Sequence, residues 1–77
     1  MDHTGHALCK VGRAMANLGL LEDAIHLYGQ ALKEQRSVLG ESHLAVANTL
    51  IGRGTALATV GLLYDSVLDL EKALLIQ

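Results

Sequence analysis

The chain has 77 residues and a mass of 8.2 kDa, with six Lys plus Arg against eight Asp plus Glu and a single cysteine, Cys9. This length supports at most one small domain, and one cysteine excludes an internal disulfide framework. A net charge of −2 with only Tyr28 and Tyr64 as aromatics argues against nucleic acid as a partner, because binding it needs many phosphate-neutralising cations and usually stacking rings.

The apolar fraction is 51%, and Leu and Ala supply 26 of the 39 apolar residues, which is helix-former composition and not that of a disordered tail. From His6 to Leu18 the apolar positions Ala7, Leu8, Val11, Ala14, Met15 and Leu18 recur on one helical face. Gly19 is a helix stop, and Glu22 and Asp23 place negative charge at the start of a second helix. That helix carries Ala24, Ile25, Leu27, Tyr28, Ala31 and Leu32, with Arg36 in its later turns and Gly40 as its stop. Ser42 is the expected N-cap of a third helix bearing Ala47, Leu50, Ile51, Gly54, Leu57 and Ala58. Gly61 ends it, and Asp65 opens a fourth with Val67, Leu68, Leu70, Ala73 and Leu74. The pattern predicts helices near 4–18, 22–39, 43–59 and 64–76, with no strands.

Laid on itself at an offset of 42, the sequence returns eleven identities, among them Leu8/Leu50, Gly12/Gly54, Gly19/Gly61, Asp23/Asp65, Ala31/Ala73 and Gln35/Gln77. Both turns stay in register, so the chain reads as a helix hairpin repeated twice. Gly12 and Gly54 sit inside helices, where each costs about 1 kcal/mol relative to Ala. Their recurrence predicts close approach of the partner helix, with Ala24, Ala31 and Ala73 as the small residues facing them. Gly29 and Gly52 lack a counterpart glycine and read as local looseness or as contact with something outside the chain.

In order along the chain, Leu8, Val11-Gly12, Met15, Gly19, Leu21, Ala24, Tyr28 and Ala31 are followed by Leu50, Arg53-Gly54, Leu57, Gly61, Leu63, Ser66, Leu70 and Ala73. This spacing resembles the tetratricopeptide repeat. The 42-residue period and the linker from Leu39 to Ala47 resemble the longer variant of kinesin light chains and nephrocystin-like proteins. The resemblance implies an all-α fold of two helix-turn-helix hairpins in a short right-handed α-solenoid, with repeat one at about 5–39, the linker at 40–43 and repeat two at about 44–77. The linker has His43-Leu44 where that variant has His-Pro, and Ile51-Gly52 replaces an Asn pair, so neither the groove chemistry of light chains nor a carboxylate clamp is expected. The apolar ending Leu74-Leu75-Ile76, without the polar cap of a terminal repeat, suggests a fragment of a longer array or a surface covered by another subunit.

The resemblance also implies a concave face built by the two first helices, comprising His6, Cys9, Arg13, Asn17, Asn48, Ile51, Thr55 and Thr59. Leu68 and Leu75 on the outer face of the last helix complete the expected partner-binding set. The expected function is a non-catalytic module that binds a protein or peptide partner. The alternative is a structural subunit permanently built into a large complex, its neighbours being other subunits or further repeats of the same chain. His3, His6 and Cys9, spaced three apart, and the amine end Met1-Asp2-His3 offer soft or borderline ligands, but at a chain end they are expected to be incidental. No metal and no cofactor is expected. Ser42-His43 lacks an acid to orient the imidazole, and Lys10 beside Cys9 does not face it on a helix, so no catalytic set is assigned. No apolar run has the length of a membrane span. With no secretion signal in the first residues, an intracellular location is the expectation.

Overall fold

The computed structural model describes residues 4–77, so the reading placed on Met1, Asp2 and His3 lies outside the described residues. Among these the secondary structure is all α-helix: α1 Thr4–Asn17, α2 Leu21–Leu39, α3 Leu44–Thr59 and α4 Leu63–Ile76. Every boundary lies within one residue of the sequence reading, because glycine chemistry sets the ends. Gly19 and Gly61 take φ of +85° and +91°, a left-handed conformation that a side chain disfavours. After each, the chain closes the same pair of hydrogen bonds. Leu20 N–H donates to Met15 O at 2.9 Å and Gly19 N–H to Ala16 O at 3.0 Å; Leu62 N–H donates to Leu57 O at 2.9 Å and Gly61 N–H to Ala58 O at 3.0 Å. These are Schellman closures, and they repeat at the 42-residue offset.

The N-cap of α3 differs from the expectation. His43, not Ser42, takes the extended cap conformation, and its Nδ1 accepts the Ala45 N–H at 3.0 Å. An imidazole acceptor does here what a serine hydroxyl does elsewhere, relieving one unpaired N–H of the first turn.

The helices zigzag: α1 packs on α2, α2 on α3 and α3 on α4, while α1 and α3 touch only lightly. The molecule is a slab of 33 × 24 × 14 Å, thin enough for two layers of helices. Two buried clusters fill it. One joins Cys9, Ala24, Tyr28, Ala31 and Ala56; the other joins Leu32, Val46, Ala47, Leu50 and Ala73. Most of these side chains are small, so the stabilising contacts come from backbones drawn close together.

Glycine makes that approach possible around Tyr28. A Cβ on Gly12 would lie 3.4 Å from Tyr28 Cδ1 and Cε1 and 3.5 Å from Ala24 O. At the equivalent place a Cβ on Gly54 would lie 3.1 Å from Leu70 Cγ and Cδ2. Gly12 therefore receives the expected Ala24 backbone together with the Tyr28 ring, whereas Gly54 receives Leu70 and Asp69. Gly52 is not a loose point: a Cβ there would come within 2.9 Å of the Tyr28 ring. Gly29 is different, with only Arg53 Nη1 near, at 3.8 Å.

Polar contacts also tie the helices together; among them, Ser66 of α4 donates its hydroxyl proton to Gly54 O of α3 at 2.7 Å. Arg53 of α3 grips Asp69 of α4 with two bonds, Nε donating to Oδ2 at 2.7 Å and Nη2 to Oδ1 at 2.9 Å. Asp69 is buried, and the fork geometry satisfies both of its oxygens. Thr49 of α3 places its hydroxyl 2.7 Å from Gln35 Oε1 of α2 and 3.5 Å from Cys9 Sγ of α1. All three residues are buried, so one polar group joins three helices.

Candidate functional site

A groove of about 790 Å³ runs between α1 and α3, with Tyr28 of α2 at its floor. From α1 it takes Arg13, Ala16 and Asn17, and from α3 Asn48, Ile51, Gly52, Thr55, Ala56 and Thr59, with Gly19 and Leu21 at one end. Helical spacing explains the α3 wall. Asn48, Ile51, Thr55 and Thr59 follow one another at three, four and four residues, which places them on one face. The same residues are exposed, while Leu50, Gly54 and Leu57 of α3 are buried.

Six of the ten residues singled out from sequence meet here: Arg13, Asn17, Asn48, Ile51, Thr55 and Thr59. The other four do not. Cys9 is a correction: it is buried in the core beside Tyr28 and Thr49, because its α1 face turns toward α2 and not toward the groove. His6 is exposed beside Glu34, Gln35, Val38 and Leu39 of α2, in a separate hollow. Leu68 borders a hollow with Ile25, Arg53 and Lys72, and Leu75 one with Arg36, Glu41 and Leu50. With Cys9 inside and His6 outside, those two do not form a ligand pair. Among the described residues no group of three or more His, Cys, Asp or Glu is placed to hold a metal ion.

Sequence reading missed the groove's floor. Tyr28 reaches it only because Gly12 and Gly52 open a path for the ring between α1 and α3. The available signal was a lone aromatic residue on α2 together with Gly52, a helix-interior glycine with no counterpart in the other repeat.

The groove's lining is mixed polar and apolar. Among the described residues Arg13 is the one ionised side chain in the lining, with no carboxylate beside it. Burial raises the Tyr28 phenol above its ordinary value of 10.0, Cys9 adds to that rise, and the Arg13 guanidinium beside the hydroxyl partly offsets it. Tyr28 therefore stays a neutral phenol at physiological pH. Thr55 and Thr59 donate their hydroxyl protons to Ile51 O at 2.8 Å and Thr55 O at 2.9 Å, so each offers a ligand an acceptor oxygen and a methyl group. Asn17 and Asn48 each carry both donor and acceptor, and Ile51 and Ala16 supply apolar surface.

Among the described residues no helix is long and apolar enough to cross a membrane. In comparison with known proteins, the chain matches no family model, no curated protein and no solved structure.

Proposed function

We propose that this chain is a non-catalytic protein interaction module of two tetratricopeptide-like hairpins, binding an extended peptide segment of a partner in the α1/α3 groove. The observation that carries the reading is the convergence of Arg13, Asn17, Asn48, Ile51, Thr55 and Thr59 on one groove from two helices far apart in sequence. Support for the hairpin reading comes from the sequence spacing and from turns whose hydrogen bonds recur at the 42-residue offset. The groove's chemistry suits a peptide. The two asparagine amides can meet the N–H and C=O groups of an extended backbone, Ile51 offers a seat for an apolar side chain, and Arg13 favours an acidic residue.

Peptide display against the immobilised chain tests this, with Arg13→Ala and Ile51→Glu as controls. Enriched peptides should pair an apolar with an acidic residue, and each variant should weaken them at least about tenfold, the scale of one lost charged or anchoring contact. Peptides that bind the wild type and Ile51→Glu equally would place recognition elsewhere.

A second reading, a subunit built permanently into a larger assembly, is favoured by the exposed apolar residues of α4, which include Leu63, Tyr64, Leu74 and Leu75. On that reading the surface around Leu68 and Leu75 is an interface that stays covered.

A further inference from the structure

The edge formed by the two hairpin turns carries apolar residues that the fold leaves unused. Leu20 and Leu62 stand at the N-caps of α2 and α4 with nearly the same backbone angles, φ −86° and ψ 66° against φ −84° and ψ 68°, and neither side chain caps its helix. Ser, Thr, Asp or Asn at that place accepts an N–H of the first turn, a bond that leucine forgoes. The core does not take these leucines up either, since Leu20 is 48% and Leu62 50% exposed. The residues before the turn glycines are open too, Leu18 at 76% and Val60 at 39%, and Tyr64, two residues past Leu62, is 77% exposed. Leu18 and Leu20 belong to the first hairpin, against which the second already packs, so their exposure does not come from lying at an end of the chain.

The two turns lie side by side. A hollow of about 330 Å³ takes Leu20, Leu21, Glu22 and Asp23 from the first turn and Val60 from the second. Glu22, Asp23 and Asp65, all exposed, are the charges of this edge. No Lys or Arg lies in the sequence between Arg13 and Lys33 or between Arg53 and Lys72. The ion pairs among the described residues, Arg36 with Glu41 and Arg53 with Asp69, involve none of the three acids. Helix dipoles leave that charge standing, because the C-terminal ends of α1 and α3 meet the N-terminal ends of α2 and α4 here and their partial charges offset in pairs. An apolar edge with net negative charge attracts cations, and it repels anionic lipid headgroups and the same edge of a second copy.

We infer that this edge docks a segment of a partner protein in which Leu, Ile or Phe stands beside Lys or Arg. An apolar side chain enters the hollow between the turns, and the cations face Glu22, Asp23 and Asp65. Exposed apolar residues rimmed by charge mark such surfaces. The edge and the groove select opposite chemistry, since Arg13 favours an acidic residue and the edge a basic one.

Peptide display on the immobilised full chain, with the selected peptides then measured by fluorescence anisotropy, tests this. One enriched class should join Lys or Arg to Leu, Ile or Phe. Its affinity should fall at least about tenfold when Leu20→Asn and Leu62→Asn are combined, and about as much when Glu22→Gln, Asp23→Asn and Asp65→Asn are combined. Arg13→Ala should leave it unchanged, and added salt should weaken it. The Leu20→Asn and Leu62→Asn pair separates binding from folding: Asn is a favoured N-cap, so the thermal midpoint should stay equal or rise while the apolar seat is lost. Absence of a basic class overturns the inference, as does a basic class that binds these variants as tightly as the wild type. A basic class lost in Arg13→Ala would move its site to the groove, and phosphatidylserine vesicles that bind the wild type but not the Leu20→Asn and Leu62→Asn pair would give the edge to a membrane; either result overturns it as well.

Discussion

Tyr28 is where most of this chain's constraints meet. Its ring lies against Gly12 on one side and Gly52 on the other, and its hydroxyl end reaches the groove beside Arg13. Gly52→Ala should therefore cost about 1–3 kcal/mol through overpacking, measured by urea denaturation. In a Tyr28→Leu background, which copies the Leu70 arrangement, that penalty should shrink or vanish; a penalty that persists would mean that Gly52 serves something other than the ring. Gly29 tests the same argument with the opposite sign. Its would-be Cβ meets only Arg53 Nη1 at ordinary contact distance, so Gly29→Ala should stabilise the helix by about 0.5–1 kcal/mol. The raised Tyr28 pKa adds a pH dependence. The fold favours the neutral phenol, so this contribution is fully present below 10.0 and is lost as pH rises through the higher folded value. Tyrosinate absorbance should show Tyr28 ionising late, and later still in Arg13→Ala, which removes the charge that holds it down. An earlier titration in that variant would contradict the placement of Arg13.

The helices themselves were legible in the sequence because their boundaries are local events. Gly19, Gly40 and Gly61 end helices by backbone conformation alone, and that information sits at the ends. The residues of the groove's two walls were named only through the resemblance to the tetratricopeptide repeat; helical spacing accounts for why Asn48, Ile51, Thr55 and Thr59 share one face of α3. The contacts between helices were less legible. Nothing local distinguishes Cys9 as a core residue from His6 as a surface one, because that depends on where α2 lies. The partners of Gly52 and Arg53 likewise lie on other helices, Tyr28 on α2 and Asp69 on α4, beyond the reach of spacing within α3. Arg53 is one half of an ion pair with the buried Asp69. The equivalent residues in the first hairpin are Val11 and Leu27, so the first hairpin has apolar residues at both places where the second has an ion pair. Arg53→Ala should cost about 3 kcal/mol because it leaves Asp69 buried without a partner. The double substitution Arg53→Val with Asp69→Leu, copying the first hairpin, should recover most of that stability. Failure of the double variant to recover would show that the ion pair does more than satisfy its own burial.

At the scale of the whole molecule, the small-residue core and the thin slab have one consequence for function. Little of the chain lies far from a surface, and the groove between α1 and α3 shares its floor with the core through Tyr28. A ligand in the groove therefore touches the residue that organises the packing of α1, α2 and α3, and binding should raise thermal stability by mass action. The most direct test of the account is an amide NMR titration of the isotope-labelled chain with a display-selected peptide. The account predicts shifts concentrated at Arg13, Asn17, Asn48, Ile51, Gly52, Thr55 and Thr59, with α4 amides unmoved. Shifts confined to α4, or to the end near His6, would contradict the groove as the binding surface.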